Sequence, residues 1–198
     1  MLSLSKHESS EVPFMPYSPF DETLRRVITG DDASGKSTII IDGPPPDTAI
    51  TPGRGGLLEI WTDSVVAALA PKETKDNGKG AVILSPPHQS VKVRWFVIEP
   101  VPEGTPKEAL DAATRAAFAG FGAEHHIIDQ SRHSAMHETH SLDVICLLKG
   151  DVSLILEDTE TRIKPGQIVI QRGTNHAWVA HGGPALLLAV LIDRPLAF

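Results

Sequence analysis

Between Ser90 and Pro100 the chain reads "SVKVRWFVIEP". Val91, Val93, Trp95 and Val97 alternate there with Lys92, Arg94 and Phe96 at the two-residue period of a sheet. From Ile127 onward apolar runs recur between Gly, Asp and Pro: "SLDVICLLKG", "DVSLILED", "TRIKPGQIVIQRG", "HAWVAH" and "ALLLAVLID". Short β-rich runs at regular spacing predict a sandwich or small barrel. Upstream, "LRRVIT" and "STIIIDG" read as the two arms of a hairpin over 24–42, and "LLEIWT" and "AVILS" as further strands. The segments 42–56 and 71–80 read as loops, the first from its Pro and Gly, the second from its charges. One helix is predicted, near 106–119. Thr105 to Glu108 has the form of a capping box, Leu110, Ala113, Ala117, Phe118 and Phe121 keep helical spacing, and Gly120 offers a left-handed stop. The apolar side chains of this helix are expected to pack the core.

The hairpin contains "GDDASGKS" (30–37), which matches the phosphate-loop pattern letter for letter. That pattern cradles a phosphate only between a buried strand and a helix. Here three isoleucines and then Pro44–Pro46 follow the lysine, so no helix can start. The segment is a turn.

No linker rich in Ser and Gly divides the chain, and 198 residues suit one well-filled core. The expected layout is a single domain over 1–198, with an N-terminal arm (1–23), N-terminal strands extending the sheets (24–90) and a core (91–198). A hydrophobic fraction of 41% without any apolar run near the ~20 residues of a membrane span predicts a soluble protein. The start lacks the long apolar segment of a secretory signal. Cys146, the single cysteine, precludes an internal disulfide, fits a reducing, cytoplasmic setting and reads as an inert thiol. A net charge of −7 without a basic patch argues against nucleic acid as a partner.

The candidate chemistry lies in "MHETHSLDVICLLKGDVSLIL" and "PGQIVIQRGTNHAW". His137, Asp143 and Gly150 in the first, with Pro165, Gly166, Gly173 and His176 in the second, resemble the paired motifs of the cupin superfamily. The likeness covers roughly residues 90–198. It implies an all-β fold, the double-stranded β-helix or jelly-roll barrel, here with extra N-terminal strands and one helix. It further implies a small-molecule substrate, a divalent metal and a homodimer. The narrower likeness is to small single-domain cupins, some of which accompany aromatic or polyketide-type metabolism.

Three departures bear on function. Thr139 stands where the motif has its second histidine, Asp143 replaces a glutamate, and Ala180 stands where an asparagine is usual. Strand alternation places His137, Thr139 and Asp143 on one face, and His176 is expected opposite. Two imidazoles and a carboxylate form the facial triad of non-heme iron oxygenases. Iron is therefore the first metal to consider, with zinc, manganese or nickel behind it. His140 is the candidate proton carrier, or a third ligand if a bulge turns it inward. Thr139, Gln171, Arg172, Trp178 and Trp95 are the candidate substrate contacts, an aromatic wall with one cation suiting an aromatic or conjugated acid or phenol. His133, His140 and His181 otherwise read as structural or surface residues. His125 and His126 read as alternate faces of a short strand. The segment 52–63, with Arg54, Glu59 and Trp61, is a candidate lid. Two functional readings follow. One is a metal-dependent oxidoreductase, with a lyase or isomerase as its variant. The other is a metal-free module in which His137 and His176 are satisfied by hydrogen bonds alone.

Overall fold

The structure is a computed structural model that describes residues 20–197, so residues 1–19 of the expected arm lie outside the described part. Eleven strands and one helix are found there. The strands are β1 (Arg26–Asp31), β2 (Ser37–Gly43), β3 (Thr48–Thr51), β4 (Gly55–Ser64), β5 (Ser90–Ile98), β6 (Ser141–Lys149), β7 (Val152–Leu156), β8 (Glu160–Ile163), β9 (Ile168–Gln171), β10 (His176–Ala180) and β11 (Ala185–Asp193). The helix α1 spans Lys107–Gly120. The fold is the all-β barrel expected from the strand pattern. No helix of the described residues is long and apolar enough to cross a membrane.

Six strands form the larger sheet in the order β3-β4-β5-β11-β6-β9, and three form the smaller, β10-β7-β8. Every pairing is antiparallel. Ile145, Leu147, Leu187, Ala189 and Leu191 of the larger sheet meet Val152, Leu154, Ile163, Trp178 and Ala180 of the smaller. Their side chains alternate out of each pleat, so two inner faces close on one core. A second cluster covers the outer face of the larger sheet, where Phe20 and Leu24 pack on Leu58, Trp95, Val97 and Leu186. Two glycines of the motifs are needed for backbone shape. Gly150 has φ 94° at the β6–β7 turn, where a Cβ would lie 2.7 Å from Ala185 Cα. Gly173, at φ 66°, would bring a Cβ to 3.0 Å from the Thr139 carbonyl.

Several local expectations give way. The loop expected over 42–56 contains β3, because Thr48–Thr51 folds back on β4 with Ala49 opposite Leu57. Residues 81–85, read as a strand, join no sheet. The carbonyl of Ile83 instead accepts from Lys92 Nζ and Arg94 Nη2, and the amide of Leu84 donates to Phe121. Backbone satisfied from the side needs no ladder. The hairpin β1–β2 forms as expected but is a two-stranded sheet of its own, not an extension of the others. Its turn is held by Asp32, which accepts from the amides of Ser34 and Lys36. The capping box does not form: Thr105 Oγ1 donates to the Pro102 carbonyl. Gly120 stays in the helix, and the left-handed residue is Gly122.

Candidate functional site

Between the inner faces lies a cavity of about 210 Å³. Its walls come from β4, β5, β6, β10 and β11, and α1 contributes Ala113, Thr114, Ala117, Phe118 and Phe121. The apolar face of α1 was expected to fill a core; it bounds the cavity instead. Arg54 ties the helix to the barrel by donating to the Leu110 carbonyl at 3.1 Å. The segment proposed as a lid is thus mostly strand. Arg54 lines the cavity, Glu59 is buried in an ion pair, and Trp61 donates to Asp63.

His137 precedes β6 and His176 opens β10. Their backbones exchange two hydrogen bonds of 2.9 Å, so the residues face each other as an antiparallel pair. Directly opposed residues project on the same side. The rings accordingly lie 4.4 Å apart. Each ring is oriented from behind: His137 Nδ1 bonds the Ala135 carbonyl and His176 Nδ1 bonds the Thr174 carbonyl, both at 2.9 Å. A carbonyl accepts only, so each Nδ1 carries the hydrogen and each Nε2 is left with its lone pair. Burial, and then the adjacent His176 ring, hold the pKa of His137 down at about 3. Burial holds His176 at about 4, with the Thr174 carbonyl pulling the other way. Both rings are neutral at physiological pH. Phe118 meets His137 edge-on at 4.9 Å, and Trp178 stands 6.2 Å from His176.

Asp143 lies on the inner face of β6 and also lines the cavity. Burial raises its pKa to about 6, opposed by hydrogen bonds from Ser141 and Thr139 and by the charge of Arg94. One oxygen, Oδ1, is buried and accepts nothing.

The expected triad does not close. Among the described residues no three His, Cys, Asp or Glu side chains come near enough together to hold an ion. The two imidazoles meet because they are cross-strand neighbours, whereas Asp143 lies six residues further along the chain from His137, on the strand proper. The described residues therefore offer a metal two oriented Nε2 donors but no third His, Cys, Asp or Glu ligand beside them.

The remaining candidates divide. Trp178 lines the cavity as expected and packs on Phe96 at 6.3 Å. Trp95 does not: it faces the opposite side of β5, in the outer cluster. Thr139 is buried and supports Asp143 and Ser141 rather than reaching the cavity. Gln171 is buried and spends its amide on Thr174. Arg172 is exposed, outside the cavity wall. His140 is exposed, its carbonyl accepting from the Arg194 amide, so no bulge brings it inward. Cys146 is partly exposed. His125 and His126 form a short 3-10 turn rather than a strand, and His126 bonds Ser85. His181 bonds Ser153. His133, assigned to structure, does line the cavity.

Arg94 is the residue that strand reading missed. It is 1% exposed, lines the cavity and pairs with Glu59 at 2.7 Å. Lys92, also buried, lies 3.8 Å from the same carboxylate. The signal lay in the alternation itself, since Lys92, Arg94 and Phe96 share a face.

No family model matches the chain. Two proteins of Diaporthe leptostromiformis, phomopsin biosynthesis cluster proteins C' and D, are each 48% identical over 46 residues, 23% of this chain and 24% of theirs. A cupin-domain-containing oxidoreductase, fogC, of Aspergillus ruber is 37% identical over 65 residues, 30% of this chain and 32% of its own. The matched stretches thus span a quarter to a third of these relatives. Among solved structures, a putative ethanolamine utilization protein Q of Salmonella typhimurium covers 85% of this chain and 95% of its own, at 7% identity and a TM-score of 0.40.

Proposed function

We propose that this cupin-type barrel is an enzyme acting on a small, largely apolar and conjugated metabolite, of aromatic or polyketide type, held between α1 and the inner faces of the sheets. The observation that carries the reading is the cavity of about 210 Å³, walled by Phe96, Phe118, Phe121 and Trp178, with polar groups at His137, His176, Asp143 and Arg94 and also at Arg54, Glu99 and His133. An apolar pocket with a few convergent polar groups is the usual form of a small-molecule site. In this reading Asp143 moves the proton. Its pKa of about 6 is close to working pH, and its Oδ1 is free to meet a substrate. The two histidines, too weakly basic to take up a proton, orient a substrate hydroxyl that donates to their Nε2 lone pairs. The class of reaction is a lyase or isomerase step on carbon beside a carbonyl.

The test is deuterium exchange into conjugated ketones in heavy water, followed by proton NMR. Exchange that falls about a hundredfold or more in Asp143→Asn supports the reading. Exchange unaffected by that change would sink it.

A second reading, metal-dependent oxidoreductase chemistry, is favoured by the two imidazoles whose Nδ1 atoms are tied to carbonyls, as metal-ligating histidines commonly are. The relative named as an oxidoreductase points the same way. A bound iron, manganese, zinc or nickel ion would supply Lewis-acid or redox chemistry; this chain would supply two donors and the apolar enclosure. Elemental analysis of untagged protein separates the readings. Stoichiometric metal that is lost in His137→Ala and in His176→Ala supports the oxidoreductase. The same proposal carries a small-molecule partner and a homodimer, the latter checked by sedimentation.

A further inference from the structure

Arg94 has more donors than its surroundings use. Nη2 donates to Glu59 Oε1 and to the Ile83 carbonyl. Nε and Nη1 are buried and donate to nothing. A guanidinium keeps its charge at any working pH, so this is a permanent cation with vacant donors in a low-dielectric wall. Buried donors without acceptors lose hydration with nothing gained in return, and each such group calls for an unseen partner.

No neighbouring group accepts from these two donors, although Glu59 Oε2 is likewise buried and without a hydrogen bond. Glu59 is shared between Arg94 and Lys92, two cations on one carboxylate. The carboxylate nearest across the sheet is Asp143, close enough to act on Arg94 electrostatically but without a hydrogen bond from it. Between them runs β11, with Ala189 opposite Arg94 and Leu191 opposite Asp143. Ala189 places only a methyl group on this row, and it too lines the cavity. Cavity space, the unspent donors of Arg94 and the unspent oxygen of Asp143 therefore coincide on this row, while Phe96 and Trp178 contribute apolar wall.

We infer that Arg94 is the anion-binding end of the cavity and selects substrates carrying an anionic oxygen, a carboxylate or an ionised phenol or enol, on an apolar conjugated body. Asp143 Oδ1 receives a hydroxyl adjacent to that oxygen. This rests on the reading of the cavity as a small-molecule site, without depending on which reaction occurs there. It also relocates the cation of the site from the exposed Arg172 to the interior of β5.

The test uses 2-naphthoate and its uncharged methyl ester as probes, with affinities measured by calorimetry on the whole protein. A charge-assisted hydrogen bond in a dry site predicts that the acid binds roughly ten- to a hundredfold more tightly than the ester. In Arg94→Gln, which keeps an amide for Glu59 and Ile83, the preference collapses while the ester binds as before. Should that variant fail to fold, Arg94→Met with Glu59→Met and Lys92→Met removes the buried charge cluster whole, a change buried ion clusters tolerate. Equal binding of acid and ester to the wild type, or a preference that survives both variants, overturns the assignment and leaves the small-molecule reading standing. If neither probe binds the wild-type protein, that reading falls and the assignment with it.

Discussion

The two faces of β5 are both covered, yet they do opposite things. On one, Trp95 and Val97 pack with Leu58, Leu186, Phe20 and Leu24 into a cluster whose one polar side-chain atom is the Trp95 indole nitrogen. On the other, Lys92 and Arg94 are equally buried and share Glu59, and Arg94 lines the cavity. Burial by itself thus fails to separate wall from site. What separates them is the balance of polar partners. No side-chain polar atom of the outer cluster is left buried and unpaired, whereas the inner face keeps two guanidinium donors and two carboxylate oxygens, Glu59 Oε2 and Asp143 Oδ1, unspent.

The sharpest way to break this contrast is to damage each face in turn. Arg94→Ala leaves buried Glu59 with only the more distant Lys92 and is expected to cost about 3–5 kcal/mol in urea unfolding, whereas Arg94→Met with Glu59→Met and Lys92→Met costs far less. Equal losses from the single and the triple change would mean the inner face is not a coupled charge cluster. Trp95→Ala on the outer face should cost a comparable ~3–5 kcal/mol by opening a hole in packing. Its folded fraction should still bind 2-naphthoate, while Trp178→Ala should lose that affinity; the reverse order would exchange the roles of the two tryptophans. Phe118→Ala, on the half-covered helix, is expected to cost only about 1–2 kcal/mol. Binding of the methyl ester should nonetheless weaken severalfold, because Phe118 forms cavity wall.

Acid titration gives a smaller effect with a defined sign. His137 and His176 have folded pKa values of about 3 and about 4, below the ordinary imidazole value. Unfolding at pH ~5 therefore takes up protons at both rings, and stability falls as pH drops from ~6.5 toward ~4. Asp143, raised to about 6, releases a proton on unfolding over the same range and partly offsets this. His137→Gln with His176→Gln should thus show a shallower acid loss of Tm than the wild type, by a few degrees at ~pH 4.5, and Asp143→Asn a steeper one. Identical slopes in all three proteins would place these groups in solvent. The smallest effect belongs to Arg172→Ala, expected to stay within ~0.5 kcal/mol and to leave both probes binding unchanged. A loss of acid preference there would restore Arg172 and displace Arg94.

Much of this arrangement was legible without coordinates. The alternation in "SVKVRWFVIEP" identified β5, and the cupin resemblance carried by His137, Gly150, Gly173 and His176 implied the imidazole pair. Helical spacing identified α1 to within a residue or so at either end. The misses have a common origin. Thr48–Thr51 carries a weak β signal beside its prolines and becomes β3 only because β4 has a free edge to pair. Residues 81–85 carry a strong signal but find their backbone partners in Lys92, Arg94 and α1. Asp143 fell on the expected face, yet the expected triad asked for a distance, which periodicity does not contain.

Local sequence determined most of the strands and turns, because backbone preference and side-chain alternation act over a few residues; that two histidines belong to paired motifs was implied by the resemblance. Which face of β5 looks inward was a tertiary decision: a strand covered on both sides has no polar face to read, so its orientation is set by what packs against it. In the same way α1 became a cavity wall and Glu59, Lys92 and Arg94 came together across two strands, since an ion cluster exists only where separate elements meet.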